Sequence, residues 1–203
     1  PAAGLTFASG LRSFLRQDPN IILVGEIRDQ ETAELAIQAS LTGHLVFSTL
    51  HTNDAAGALP RLLDMGAEPY LLASSMSAIV AQRVVRRIHD KCKTPYQPEQ
   101  QVVESIKNVL GPLYKEPQQG PVQLYKGEGD AECGNSGYHG RVGIFEVLPV
   151  SERISRLILE RQSAAEIEKA AKEEGMITLK QDGYQKVLDG TTTIEEVLRT
   201  AEE

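Results

Sequence analysis

Glu26, Arg28 and Asp29 stand together just past a run of four aliphatic residues, Ile21-Ile22-Leu23-Val24, with Gly25 between. Such a run reads as a strand buried on both faces, as in a parallel sheet flanked by helices. Ionisable groups beside it are costly without partners. The carboxyl ends of strands are also where open α/β sheets bind ligands. A carboxylate there can take a proton from a water or hold that water for attack on a phosphate. The competing reading of Glu26 is an ordinary surface residue in a loop; the unbroken aliphatic run favours the functional one. A second apolar segment, Leu45-Val46-Phe47, exits into Ser48, Thr49, His51, Thr52 and Asn53. His51 at that exit can hydrogen-bond or sense a phosphate, although a lone His is usually structural. His44 and His51 are wrongly spaced for a helical metal pair, and His44, before the strand, reads as structural.

Arg12 and Arg16 are four apart and share one helix face. Two guanidinium groups on one face can grip phosphate oxygens and stabilise transferring charge. Spacing alone fits a solvated face paired with acids at least as well. Cys92 and Cys133 each follow a potential ligand by three residues, His89 and Asp130. A structural zinc site takes four ligands in two short pairs, but an Asp ligand is unusual in a closed one. The ligand types therefore lean towards two isolated thiols, with the loop held by packing around Tyr96, Tyr114, Tyr125 and Tyr138. No Gly-x-x-x-x-Gly-Lys-[Ser/Thr] phosphate loop occurs in the chain. A nucleotide reading expects that loop on the N-terminal side of residue 1.

Positioning these groups requires alternating elements. Residues 5–17 read as a helix ended by Asp18-Pro19. Residues 21–25 and 45–50 read as strands, with a helix over 32–41 between them, capped by Asp29 or Thr32. Helices over 54–65 and 69–88 follow. The alternation indicates an α/β parallel sheet with crossover helices. From His89 to Arg141 the chain is rich in Pro and Gly and reads as an insert with little regular core of its own. Residues 142–148 read as a strand, and 151–161, 163–174, 178–189 and 193–202 as four short helices.

Composition narrows the function classes. The 203 residues and 41% hydrophobic content suffice for one large or two small domains. A net charge of −7 argues against general nucleic-acid binding. No apolar stretch approaches the ~20 residues of a membrane-spanning helix. The opening Pro1-Ala2-Ala3-Gly4 shows no signal-peptide pattern and no initiator Met, which leads to the expectation of a fragment. Two cysteines without a secretion signal fit a reducing cytoplasm.

Several motifs in order resemble the secretion ATPase superfamily, the hexameric motors of type II secretion and type IV pilus assembly. Gly4-Leu5-Thr6-Phe7-Ala8 through Leu11-Arg12-Ser13-Phe14-Leu15-Arg16-Gln17-Asp18-Pro19 resembles its arginine-bearing helix. Ile21 to Asp29 resembles its Walker B segment, and Thr42-Gly43-His44 to His51-Thr52-Asn53-Asp54 its His box. Ala78-Ile79-Val80-Ala81-Gln82-Arg83 resembles the helix that follows. Gly137-Tyr138-His139-Gly140-Arg141 with Gly143-Ile144-Phe145-Glu146 resembles the end of its cysteine insert and the next strand. Asp182-Gly183 and Gly190-Thr191-Thr192-Thr193 resemble its C-terminal helical region. The family's insert carries two Cys-x-x-Cys pairs; here His89 and Asp130 replace the first member of each.

The resemblance implies part of a RecA-like three-layer ATPase domain. Residues 1–88 would be the C-terminal half of the core, 89–141 a degenerate metal-binding-type insert, and 142–203 the return strand and C-terminal helices. Glu26 would be the catalytic carboxylate, and Arg12 and Arg16 would neutralise phosphate charge on a neighbouring subunit's nucleotide. Gly25, Glu26 and His51 would lie against ATP and Mg²⁺. The implied protein is a cytoplasmic homohexamer, peripheral at the inner membrane, acting on a membrane platform and pilin-like subunits without direct nucleic-acid binding. An insert favours assembly and secretion motors over retraction motors. Two alternatives stand beside this: a non-catalytic module docking the platform, and a ring ATPase of DNA uptake or conjugation.

Overall fold

The computed structural model describes residues 6–117 and 120–201. Residue 5, where the sequence begins its first helix, and residue 202, where it ends its last, lie outside the described residues, as do Gly4 and Leu5 of the first motif. In chain order the elements are α1 (Phe7–Leu15), β1 (Ile21–Val24), α2 (Gln30–Leu41), β2 (Leu45–Ser48), α3 (Ala58–Asp64), α4 (Pro69–Ser75), β3 (Ala78–Ile88), β4 (Lys93–Tyr96), α5 (Gln100–Leu110), β5 (Leu124–Gly127), β6 (Tyr138–Pro149), α6 (Glu152–Leu159), α7 (Ala164–Glu173), α8 (Leu179–Leu188) and α9 (Ile194–Ala201). They group into two compact units, Pro1–Ile79 with Val147–Met176, and Val80–Glu146 with Ile177–Glu203.

In the first unit β1 and β2 pair in parallel, Ile21 opposite Leu45 and Val24 opposite Ser48. α2 makes the crossover. Asp29 caps it, its side chain accepting from Thr32 N–H at 2.8 Å, so of the two caps the sequence allows, Asp29 is the one used. α1 starts on a reciprocal cap between Thr6 and Ser9. It buries Ala8 and Leu11 and leaves Phe14 exposed.

Burial of β1 differs from the sequence expectation. Ile22 and Val24 are buried, whereas Ile21 and Leu23 are 63% and 76% exposed, and Leu45 and Phe47 are exposed on β2. Only one face of this two-stranded sheet is covered among the described residues. An all-aliphatic run cannot distinguish one covered face from two, because both faces carry the same residue types.

Residues 69–88 are not one helix. α4 ends at Ser75, Met76 turns extended, and β3 begins at Ala78. The β-branched residues Ile79, Val80, Val84, Val85 and Ile88 favour the strand. Their packing alternates, with Ala81 and Val85 buried and Val80 and Val84 exposed. The segment Ala78–Arg83, which resembles a family helix, is thus a strand. It pairs with β6, which is longer than the expected 142–148. The expected helix over 54–65 begins only at Ala58; before it Asp54 Oδ1 accepts from Gly57 N–H at 2.6 Å in a turn.

In the second unit residues 89–141 form regular elements whose core is shared with α8 and α9. β4 and β5 pair antiparallel, Lys93 opposite Gly127 and Tyr96 opposite Leu124. Ile106, Leu110 and Leu124 are fully buried with Tyr184, Val187 and Val197 of α8 and α9. The polar, Pro-rich flanks hide a helix whose apolar side is spaced three and four apart. Tyr96 and Tyr114 pack against this core. Tyr138 lies under the Arg86 guanidinium at 4.2 Å and shares a 3.0 Å hydrogen bond with Thr193, and Tyr125 stacks below Lys93.

α9 is fastened by Glu196, 2% exposed. Its carboxylate accepts from Arg86 N–H at 2.9 Å and Arg86 Nη2 at 2.7 Å, and from Arg199 Nη2 at 3.0 Å. Burial disfavours the charge, but these donors outweigh it and hold the carboxyl at about 2. A carboxyl depressed in the fold stabilises above its unfolded value and loses that contribution as pH falls through its folded value. Linkage for a shift of this size gives about 3 kcal/mol, lost between about pH 4.5 and 2. Urea titrations across that window should show it, and Glu196→Gln should be less stable at neutral pH with a flatter acid dependence.

Candidate functional site

β1 and β2 end side by side, so the loops leaving their carboxyl ends meet. Ile27 N–H donates to Thr49 C=O at 3.0 Å, and Thr49 Oγ1 donates to Gly25 C=O at 2.7 Å. These two bonds tie the loops and set Glu26 against His51. His51 Nε2 lies 3.0 Å from Glu26 Oε2, and Arg28 Nε lies 2.6 Å from the same oxygen. The Glu26 side chain is 20% exposed, whereas His51 and Arg28 are open to solvent. Arg28, and after it His51, holds the Glu26 carboxyl below the usual carboxylate range. Both partners sit on Oε2. That leaves Oε1 as the acceptor able to orient a water, in the crevice where such sheets take ligands.

Gly25 provides the carbonyl that Thr49 uses, and a side chain there would meet the Phe7 ring at 3.6 Å. His44 is structural, its Nδ1 lying 2.9 Å from Ala39 C=O and 3.1 Å from Thr42 Oγ1. Arg12 and Arg16 are exposed on α1 and at its C-cap. Arg12 Nη2 pairs with Glu31 Oε1 at 2.7 Å, the acid-paired arrangement its spacing allows. Neither arginine forms an ion pair with Glu26. Arg28 and Thr49 were noted in the sequence, but neither was given a role. The signal for Arg28 was present: residues two apart in extended chain point to the same side, which puts Arg28 beside Glu26.

A second cluster lies in the other unit. One donor atom each from His89, Cys92, Asp130 and Cys133 falls within 4.8 Å of every other. Cys92 N–H donates to His89 C=O at 3.2 Å, closing one short loop. In the other, Cys133 Sγ accepts from Asp130 N–H at 3.2 Å and Gly137 N–H at 3.3 Å. The loops close because Gly127 and Gly137 touch backbone to backbone; a Cβ at Gly127 would lie 2.0 Å from Gly137 O.

His89 is 7% exposed, and its buried Nδ1 has no hydrogen-bond partner. It lies 2.9 Å from Asp130 Oδ2, but without hydrogen-bond alignment. A buried ring nitrogen without a hydrogen-bond partner, gathered with a carboxylate and two thiols, suits a bound cation. Cys133 N–H, donating to Asp130 Oδ1 at 2.8 Å, is the main cause of an Asp130 carboxyl below its usual range. Burial opposes charge on Cys133, yet the Asp130 and Gly137 amides bring its thiol below the usual range, while burial pushes the Cys92 thiol up. The donor set fits a tetrahedral divalent metal.

Known proteins share both the sequence and the fold. The type II/IV secretion system protein family matches residues 1–199. The type IV pilus assembly ATPase PilB of Thermus thermophilus is 50% identical over the whole chain, which spans 22% of that protein. Type II secretion system protein E of Pseudomonas aeruginosa is 49% identical over 98% of the chain and 38% of its own length. The chain thus spans well under half the length of these curated relatives. The crystal structure of the pilus retraction motor PilT with bound ADP superposes with a TM-score of 0.65 at 26% identity, over 98% of this chain and 44% of that one. The α/β arrangement of β1, α2 and β2 is therefore that of a RecA-like ATPase domain. With its strand-end motifs on that scaffold, the chain belongs to the type II/IV secretion system protein family.

Proposed function

We propose that this chain supplies the water-activating side of the nucleotide site in an ATP-hydrolysing motor of type II secretion or type IV pilus assembly. The convergence of His51 and Arg28 on Glu26 Oε2 at the carboxyl ends of β1 and β2 supports it most. Glu26 orients or deprotonates the attacking water, and His51 lies at the γ-phosphate end. ATP would lie against Gly25, Glu26 and His51, and Mg²⁺ would supply neutralisation of the phosphate charge. Arg12 and Arg16 act on a neighbouring subunit's nucleotide in a homohexamer docked on an inner-membrane platform. The relatives named as pilus assembly and secretion ATPases support this class of motor.

His51→Ala in the intact subunit is the test that separates this site from a surface cluster. Losing one of two holds on Glu26 misplaces the carboxylate, and misplacement near 1 Å costs about 10²-fold. Turnover should fall by roughly 10–10² with ATP affinity little changed. Unchanged turnover would remove His51 from the site.

The four donors of the second unit favour a zinc site over two isolated thiols. Purified protein should carry close to one zinc per chain after dialysis against a mild chelator. Removing the metal with a strong chelator should raise amide exchange in the two ligand loops and leave β1 and β2 unchanged. Absent zinc with both loops equally protected would return the cluster to plain packing.

A further inference from the structure

The second unit holds a feature that a four-cysteine centre lacks. Only two of its four donors are thiols, one on each loop. The Cys92 and Cys133 sulfurs lie within 4.8 Å of each other. Both are free and partly buried. Four cysteines allow three pairings on oxidation; here one pairing exists, and it joins the two loops.

We propose that Cys92 and Cys133 are a redox-active dithiol that closes to a single intramolecular disulfide when the metal is absent, so that metal and disulfide are alternative staples of the same two loops. His89 Nδ1 and Asp130 Oδ2, 2.9 Å apart, take no part in that bond. The backbone also favours closure. The Asp130 and Gly137 amides aim at Cys133 Sγ and hold it facing Cys92. Cys92 sits in the turn after β3, its thiol donating to His89 C=O at 3.8 Å.

The co-reactant is a low-molecular-weight disulfide such as oxidised glutathione. One protein thiolate attacks a glutathione sulfur, forms a mixed disulfide and releases one glutathione thiolate. The second protein thiolate attacks the bound sulfur, forms the Cys92–Cys133 bond and releases the other glutathione. The protein loses two electrons and two protons, and one oxidised glutathione becomes two reduced ones. A bound zinc ion occupies both sulfurs and blocks the first attack. Conversely, the disulfide removes both thiolate ligands and excludes the metal.

Intact-mass and peptide-mass analysis of the 203-residue chain, treated with a chelator and then oxidised glutathione, tests this. The protein should lose the mass of two hydrogen atoms, yield one peptide joining Cys92 to Cys133, and refuse zinc until a dithiol reductant is added. Cys92→Ser and Cys133→Ser should each instead retain one glutathione adduct, which also shows that the remaining thiol is reachable. Stoichiometric zinc added beforehand should slow the reaction by at least about tenfold. Disulfide formation that zinc does not slow would support the dithiol and count against the zinc reading alone. Metal-free protein that keeps glutathione on both thiols, or stays reduced while the single variants react, would overturn the proposal.

Discussion

Glu26→Gln in the intact motor subunit is expected to keep ATP binding and lose hydrolysis. The amide preserves the shape of the side chain and its place between His51 and Arg28. It cannot take a proton, and with its oxygen turned to these two donors it offers the water an NH2 group where the carboxylate offered an acceptor. Loss of a general base lowers rates by about 10²–10⁴. Folding should change little, because the Glu26 side chain is not fully buried and its two partners reach solvent. Steady-state phosphate release and equilibrium nucleotide binding, measured on the same preparation, separate the two effects. Turnover within a few-fold of the parent would place the base elsewhere.

Removing the arginines of α1 should have an effect of similar size. An arginine that stabilises a transferring phosphoryl group is worth about 10³–10⁵ in turnover. The two positions are not equivalent. Arg12 is held by Glu31, although an exposed pair of this kind is worth only about 0–1 kcal/mol and breaks readily. Arg16, at the C-cap, has no such tether among the described residues. Arg16→Ala should therefore show the larger loss, and neither variant should unfold the chain, because both side chains are exposed. If the arginines act across a subunit boundary, rings mixed from Arg16→Ala and Glu26→Gln subunits should regain part of the activity, since some sites then receive both groups. Mixed rings that form and stay inactive would contradict action in trans.

The parts of the fold legible in the sequence were those whose signal is local. Asp29 and Gly43 bound α2 because a cap and a stop act within a few residues. The four C-terminal helices follow from apolar residues three and four apart. Residues 69–88 misled because alternation and helical spacing overlap in a mostly apolar run; the β-branched residues from Ile79 to Ile88 were the better guide. The core around Ile106 and Leu124 was hidden because its partners, Tyr184 and Val197, lie far away in the sequence.

The same division holds for the candidate site. Glu26 and His51 stood out because each follows an aliphatic run, and their meeting depends only on β1 lying beside β2. The Thr49 bond to Gly25 depends on loop geometry that no spacing rule reports, whereas the Arg28 hold on Glu26 was within reach of their spacing of two. At the cysteine cluster, ligand type spoke against a metal. The arrangement of the four donors, and the unmatched Nδ1 of His89, speak for one.

The most direct test of the account is the nucleotide recovered from the Glu26→Gln subunit after a single loading with ATP and Mg²⁺, quenched over a time in which the parent completes many turnovers. If Glu26 activates the water, the bound nucleotide is intact ATP, while the parent returns ADP and phosphate. Recovery of ADP and phosphate from the variant at the parent's rate would contradict the account.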